Sequence, residues 1–292
     1  MKKILKNKNI LVTGGSLGLG YELAKFFINQ GANVIICSRN KLNLKNALRQ
    51  LQIELSQNQK LIAIKADLSR ERDIKRLYDQ TLKKFKFLDV LVSNAGVYGP
   101  KGSIINTNWI NWKKSFEINC FGSIYLIKTF IKLLRKSRKG KIIQLSGGGA
   151  TSPLPNLSCY AASKAAVVRF VETISFELAN FNIDINCVAP GALNTRLLDE
   201  ILRAGPKRVG KKFYDKSIQQ KKSGGAGYTY IIKLIKFLCS QASNGITGKL
   251  ISAQWDNYEM LAKKKRIINN DSDVFTLRRI VGKDRKLKFL DK

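Results

Sequence analysis

The sequence predicts an α/β protein: one doubly wound, Rossmann-like domain with a mainly parallel sheet of about seven strands and helices on both faces. Three observations predict it. Short apolar runs recur along the chain without polar alternation, as strands buried on both faces demand. Helical stretches separate them, and repeated strand-helix-strand order argues right-handed crossovers between parallel strands. Finally, 292 residues with an apolar fraction of 44% and no Pro- or Gly-rich linker suit one large core.

In order, the strands are read at ILVT (10–13), VIIC (34–37), LIAI (61–64), LDVLV (88–92), KIIQL (141–145), DINCV (184–188) and KLISA (249–253). Helices are expected near 18–30, 40–56, 70–85, 109–136, 160–179 and 228–241. Two segments break the alternation. Residues 196–227 form a long, basic connection between the sixth and seventh strands, a length that usually marks a functional or mobile segment. Residues 257–292 form a basic extension, with KKKR at 263–266 and apolar residues that should pack on the domain or a partner subunit. The domain is therefore assigned to 1–256 and the extension to 257–292.

Composition removes several functions. No stretch reaches the ~18 apolar residues of a membrane helix, and the basic start MKKILKNKNILVTGG meets glycines too soon for a secretory signal. The five cysteines (37, 120, 159, 187 and 239) show no CxxC pairing, so free thiols and a cytoplasmic location are expected. There is no histidine, which excludes a Ser-His pair, a His base and a His metal site; no metal is expected. The net charge of +33 suggests either a polyanion partner or a compositional bias. The lysines are spread along the chain without a zinc finger, an RNA-binding signature or aromatic-basic interleaving, so neither specific nucleic-acid nor membrane binding is expected.

TGGSLGLG (13–20) joins the first strand to the first helix. Gly14 permits a tight turn, Gly18 lets backbone approach a pyrophosphate, and Gly20 allows close helix–strand packing. The helix start offers unpaired N–H groups to phosphates, and Ser16 and Leu19 belong to the same candidate contact. The second strand ends CSRN. Ser38 and Arg39 supply no acid for a ribose 2′-hydroxyl, whereas Arg39 suits a 2′-phosphate, so NADP(H) is expected over NAD(H). In SCYAASK (158–164), Tyr160 and Lys164 stand four apart and share one face of a helix. By itself that pair is also what an ordinary helix surface shows.

Together these motifs resemble the short-chain dehydrogenase/reductase family, its compact TGxxxGxG branch, over residues 8–253. By resemblance, Asp67 and Leu68 touch adenine, and Asn94, Ala95 and Gly96 form the turn after the fourth strand. Asn119 in FEINCFGS supports a proton-relay water, Tyr160 and Lys164 are the catalytic pair, and Pro190, Gly191, Leu193 and Thr195 in VAPGALNT seat the nicotinamide. The implied activity is NAD(P)-dependent, NADPH-favouring reduction of a ketone or aldehyde, or the reverse; the alternative is a catalytically weak or silent cofactor-binding scaffold. A free tyrosine has a pKa near 10, which a close ammonium lowers by roughly 1–3 units. Lys164 would do this while gripping the nicotinamide ribose. Family members usually carry a substrate-orienting serine 13 residues before the tyrosine, where this chain has Gly147. Ser146 takes that role if a bulge turns it round, and Ser152 or a backbone N–H is the alternative. The expected partner is a small carbonyl or alcohol, anionic or carrier-bound if the basic 196–227 segment acts as its lid. A homodimer or homotetramer is implied, with Phe170 and Val171 at the interface.

Overall fold

The computed structural model describes residues 3–264 and 272–287. Seven parallel strands form one sheet in the order β3-β2-β1-β4-β5-β6-β7. They are β1 Asn9–Thr13, β2 Asn33–Ser38, β3 Leu61–Lys65, β4 Val90–Ser93, β5 Gly140–Leu145, β6 Ile183–Ala189 and β7 Leu250–Ser252. Each predicted run is a strand, because runs such as NILVT and GKIIQL are buried from end to end. The helices are α1 Gly18–Asn29, α2 Lys41–Gln52, α3 Glu71–Lys84, α4 Trp109–Phe116, α5 Gly122–Leu134, α6 Ser158–Leu178, α7 Arg196–Ala204, α8 Pro206–Val209, α9 Lys211–Ser223, α10 Thr229–Leu238 and α11 Tyr258–Lys263.

Helices cover both faces of the sheet. Val12, Val34, Ile36 and Val92 pack with α1, α2 and α10, while Leu11, Ile35, Leu91 and Ile185 pack with α3, α5 and α6. Chain order runs outward from β1 through β2 to β3, then restarts at β4 on the other side. The carboxyl ends of β1 and β4 therefore flank a topological switch point, where doubly wound sheets bind ligands.

Two expectations change. The long 196–227 connection, for which the sequence predicts no helix, holds three helices, α7 to α9, broken where Gly205 and Gly210 take φ of +76° and +86°. The helix expected over 109–136 is interrupted by a π-helical turn at Glu117–Phe121. All five cysteines are free and buried. Among the described residues no helix is long and apolar enough to cross a membrane, and no group of His, Cys, Asp or Glu is arranged to hold a metal.

The extension packs on its own domain. Phe275 accepts a hydrogen bond from the Leu250 N–H of the edge strand at 2.7 Å, and Leu277 lies against the α5/α6 core. Val171 is fully buried in that core and Phe170 is half-buried, so Val171 offers no surface to a partner subunit. Part of the KKKR run and the last five residues lie outside the described residues.

Candidate active site

At the switch point the glycine-rich loop is shaped by close approaches. Gly14 has φ +65°, and a Cβ there would sit 3.0 Å from Asn94 Nδ2. A Cβ on Gly20 would overlap the Gly14 carbonyl, so α1 starts tight against the turn. Gly15, which the motif reading passed over, has Ile36 Cγ2 only 2.7 Å from where its Cβ would be. The N-cap residue of α1, Leu17, makes no side-chain cap and the first turn carries no acid. Its N–H groups and positive dipole end are thus left for an anion. This fits a dinucleotide's pyrophosphate. Thr13, also unremarked in the sequence, binds the loop to the Asn94-Ala95-Gly96 turn: its Oγ1 accepts from the Asn94 and Ala95 N–H groups at 3.0 and 3.1 Å. Asn94 Nδ2 returns a bond to the Thr13 carbonyl.

At the outer end of the cleft, Ser16 Oγ donates to Ser38 Oγ at 2.9 Å. Arg39 is exposed beside them and lines a cavity of about 320 Å³ with Val97, Gly99, Lys114 and Glu200. Burial works against ionising Asp67, but bonds from the Ser69 hydroxyl and N–H, with the Arg39 and Arg70 charges, outweigh it and hold the carboxyl below its usual range. Leu68 is buried where α5 begins, its carbonyl touching Gly122. On the opposite side, Gly191 turns with φ +85° and Thr195 caps α7 by accepting from the Leu197 N–H. Thr195 Cγ2 would lie 3.5 Å from a Gly18 Cβ, so the Pro190–Thr195 turn overhangs the glycine loop. Leu193 packs against the α1/α10 core.

Tyr160 and Lys164 share the inward face of α6, 9% and 4% exposed. Lys164 Nζ is 5.7 Å from the Tyr160 ring centre and donates to the Leu145 carbonyl at 2.9 Å. Asn119 lies in the π turn, a deformation that often accompanies function. Its Oδ1 accepts from the Val97 N–H at 2.9 Å, and its Nδ2 donates to the Val97 carbonyl and to Ser163 Oγ. Ser163 in turn donates to the Tyr160 carbonyl. Asn119 Oδ1 and Lys164 Nζ converge on Gly96, at 3.3 and 3.6 Å from the place of its Cβ.

Burial governs the charges here. It pushes the Tyr160 phenol up, with the Tyr98 phenol adding to the effect, and it pulls the Lys164 ammonium down to about 8. The phenol lowered by its lysine, as the sequence suggested, is not found in the protein alone. Desolvation outweighs an ammonium that points at Leu145 rather than at the phenolic oxygen.

Ser146 is not brought to the phenol. Its Oγ is buried without a hydrogen-bond partner, whereas a Cβ on Gly147 would overlap the Tyr160 hydroxyl. No bulge turns the serine round; Gly147 is extended, at φ −176°, and side chains alternate along such a backbone. Ser152 is exposed in the next turn. Over Tyr160 the three-helix segment forms an apolar roof from Ile201, Val209, Phe213 and Tyr214, joined by Leu157 and Tyr98. Its Arg and Lys residues, Arg196 to Lys222, all face solvent. Lys101 and Glu200 pair at 3.2 Å beside the roof, a contact spanning 99 residues that no local pattern announces.

A family model described as short chain dehydrogenase matches residues 8–204. The chain belongs to the short-chain dehydrogenase family. Dehydrogenase/reductase SDR family member 4 of Homo sapiens is 30% identical over 251 residues, covering 85% of this chain and 86% of that protein. The Pseudomonas aeruginosa RhlG/NADP complex superposes with a TM-score of 0.75 at 24% identity, covering 86% of this chain and 96% of that one. An NAD+-bound xylitol dehydrogenase also gives 0.75, at 20% identity over 85% and 98% of the two chains. This short-chain dehydrogenase is therefore an NAD(P)-dependent oxidoreductase, and the structural neighbours include both cofactor types.

Proposed function

We propose that this enzyme reduces a small ketone or aldehyde with NADPH, Tyr160 giving the proton, and runs the reverse oxidation through the same groups. The observation that carries the reading is the buried Tyr160–Lys164 face of α6, opposite the uncapped N-terminus of α1. Bound NADPH supplies a hydride to the carbonyl carbon. The chain supplies the rest. Tyr160, its pKa raised by burial, keeps its proton through the neutral range and so acts as the acid. The Lys164 ammonium offsets negative charge at the phenol once the proton leaves. Asn119, held at both ends by Val97, keeps the π turn in place and with it the path by which Lys164 meets water. The apolar roof excludes bulk water and strengthens these charges.

NADPH is favoured by Arg39, which stands at the end of β2 with no acid on that strand end to accept a 2′-hydroxyl. The roof favours a carbonyl compound with an apolar body. An anionic substrate has less support, since the basic side chains face outward and Lys101 is already paired with Glu200.

Gly147 motivates a second reading, a cofactor-binding protein without turnover. Tyr160→Phe separates the two. As a reductase, the variant loses roughly 10²–10⁴-fold in kcat while NADPH affinity barely moves; wild-type protein that binds NADPH and consumes none with any carbonyl supports the second reading. For the cofactor, Arg39→Ala is expected to weaken NADPH by about 10–100-fold, the worth of a charge-assisted hydrogen bond, and NADH far less. Equal losses in a fluorescence titration reverse the NADPH assignment.

A further inference from the structure

Carbonyl reduction gathers negative charge on the substrate oxygen, and acyl- and carbonyl-transforming sites usually aim more than one donor at such an atom. Position 147 carries no hydroxyl to be the second donor. Nor is there space for one, because a Cβ there overlaps the Tyr160 hydroxyl. The Ser146 hydroxyl is buried without a hydrogen-bond partner and so is not engaged with the Tyr160 phenol.

A second hydroxyl-bearing ring is in direct ring contact with Tyr160. The Tyr98 ring packs edge-on at 4.7 Å between centres and 63° between planes. Its position is fixed from both sides. Val97, immediately before it, gives both backbone groups to Asn119. Gly99, immediately after, turns with φ +74° and offers its carbonyl to Lys101 at 3.1 Å. Lys101 then reaches Glu200 on α7, tying this loop to the roof. Burial first, and the Glu200 charge second, hold the Tyr98 pKa up, so its hydroxyl stays a donor at neutral pH. A neutral, preorganised O–H at an oxyanion is a known way to stabilise it.

We propose that Tyr98 is a second catalytic hydrogen-bond donor, its phenolic O–H holding the substrate oxygen beside Tyr160 in place of the hydroxyl that Gly147 lacks. This rests on the reductase reading. In the step, a C–H bond forms between the hydride and the carbonyl carbon, and the reduced nicotinamide is oxidised. The carbonyl π pair moves onto oxygen, which takes the Tyr160 proton. Tyr98 transfers nothing; its hydrogen bond strengthens as charge develops on the oxygen and relaxes when the alcohol forms.

The test is steady-state reduction of a panel of aromatic aldehydes and ketones, followed by NADPH absorbance, in wild type, Tyr98→Phe and Tyr98→His. Tyr98→Phe keeps the ring and is expected to lose about 10²–10³-fold in kcat, with KM, NADPH affinity and melting temperature nearly unchanged. Tyr98→His, which retains a ring donor, recovers roughly tenfold or more of that loss. A Phe variant within about threefold of wild type overturns the proposal, as does a loss confined to KM, or equal loss in the Phe and His variants. If Tyr98→Phe does not fold, Tyr98→His against Tyr98→Leu makes the same comparison of donor with no donor. Wild type inactive on every carbonyl defeats the reductase reading itself; an active wild type with an indifferent Tyr98→Phe defeats only the role of Tyr98.

Discussion

Tyr160 and Lys164 are moved in opposite directions by a single cause. Loss of water penalises the charged form of each, so the phenol holds its proton more firmly and the ammonium less firmly. For reduction the first shift helps, since the acid must arrive protonated. The second sets a limit on pH. With its pKa near 8, Lys164 is an ammonium below that value and a neutral amine above it. If the charged form is the working one, kcat/KM for NADPH, which reports the free enzyme, is level at lower pH and falls about tenfold per unit above about 8. In Lys164→Arg, whose guanidinium stays charged, any residual activity lacks this limb. A limb that survives the substitution assigns it to another group. Residue identity in the sequence located both partners but not the balance of forces on them: the charge pair is visible in the letters, the desolvation only in the packing.

Legibility at the scale of elements followed burial. The sheet was readable because its strands are covered on both faces, which removes polar letters from every run. The three roof helices were not, because only their inner side is covered. In Arg196–Ala204 just Leu198 and Ile201 are buried, and in Lys211–Ser223 only Ser217 is. In Lys211–Ser223 a stripe that thin, among lysines common throughout the chain, gives little periodic signal, whereas Arg196–Ala204 is amphipathic but only nine residues long before Gly205 and Pro206 end it. The π turn at Glu117–Phe121 escaped for another reason: its residues continue an amphipathic pattern, and the irregularity follows from the grip of Asn119 on Val97, a pairing 22 residues apart. The structure sets Gly14 beside Asn94, Gly18 beside Thr195, and Asn119 and Lys164 beside Gly96, proximities that follow from strand ends and from one face of α6. The roof contacts of Tyr98 and the Lys101–Glu200 pair depend on how α7 folds back, which nothing local encodes. Ser146 was misjudged at one step of backbone alternation, the smallest error that reverses a side chain's direction.

For the molecule as a whole, the C-terminal extension completes what the domain lacks. β7 is the last strand of the sheet, and an open edge invites pairing with another chain. The extension covers it through the Leu250 N–H to Phe275 carbonyl bond. It is held on α6 as well: the buried Glu172 carboxylate accepts from the Leu277 N–H at 2.6 Å, and Arg169 donates to the Leu277 carbonyl. Lys249, 1% exposed, donates to the Ser272 carbonyl at 2.7 Å. Truncation after Asp256 removes these bonds, admits water to two buried charges and bares the edge of β7. With each of the four bonds worth about 0.5–1.5 kcal/mol, their loss is roughly 2–6 kcal/mol, about 4–24 °C in melting temperature for a chain of this size. The glycine-rich loop at the central β1/β4 switch point lies three strands away from β7 and stays assembled, so NADPH binding should survive below the lowered melting point. The exposed edge is expected to drive self-association, opposed by a charge that is strongly positive along the whole chain. Light scattering of the truncated protein should therefore rise with added salt, which screens that repulsion, while the full chain stays unchanged. A truncated protein that melts with the full chain and scatters no more in high salt shows the edge to be protected by something other than this strap.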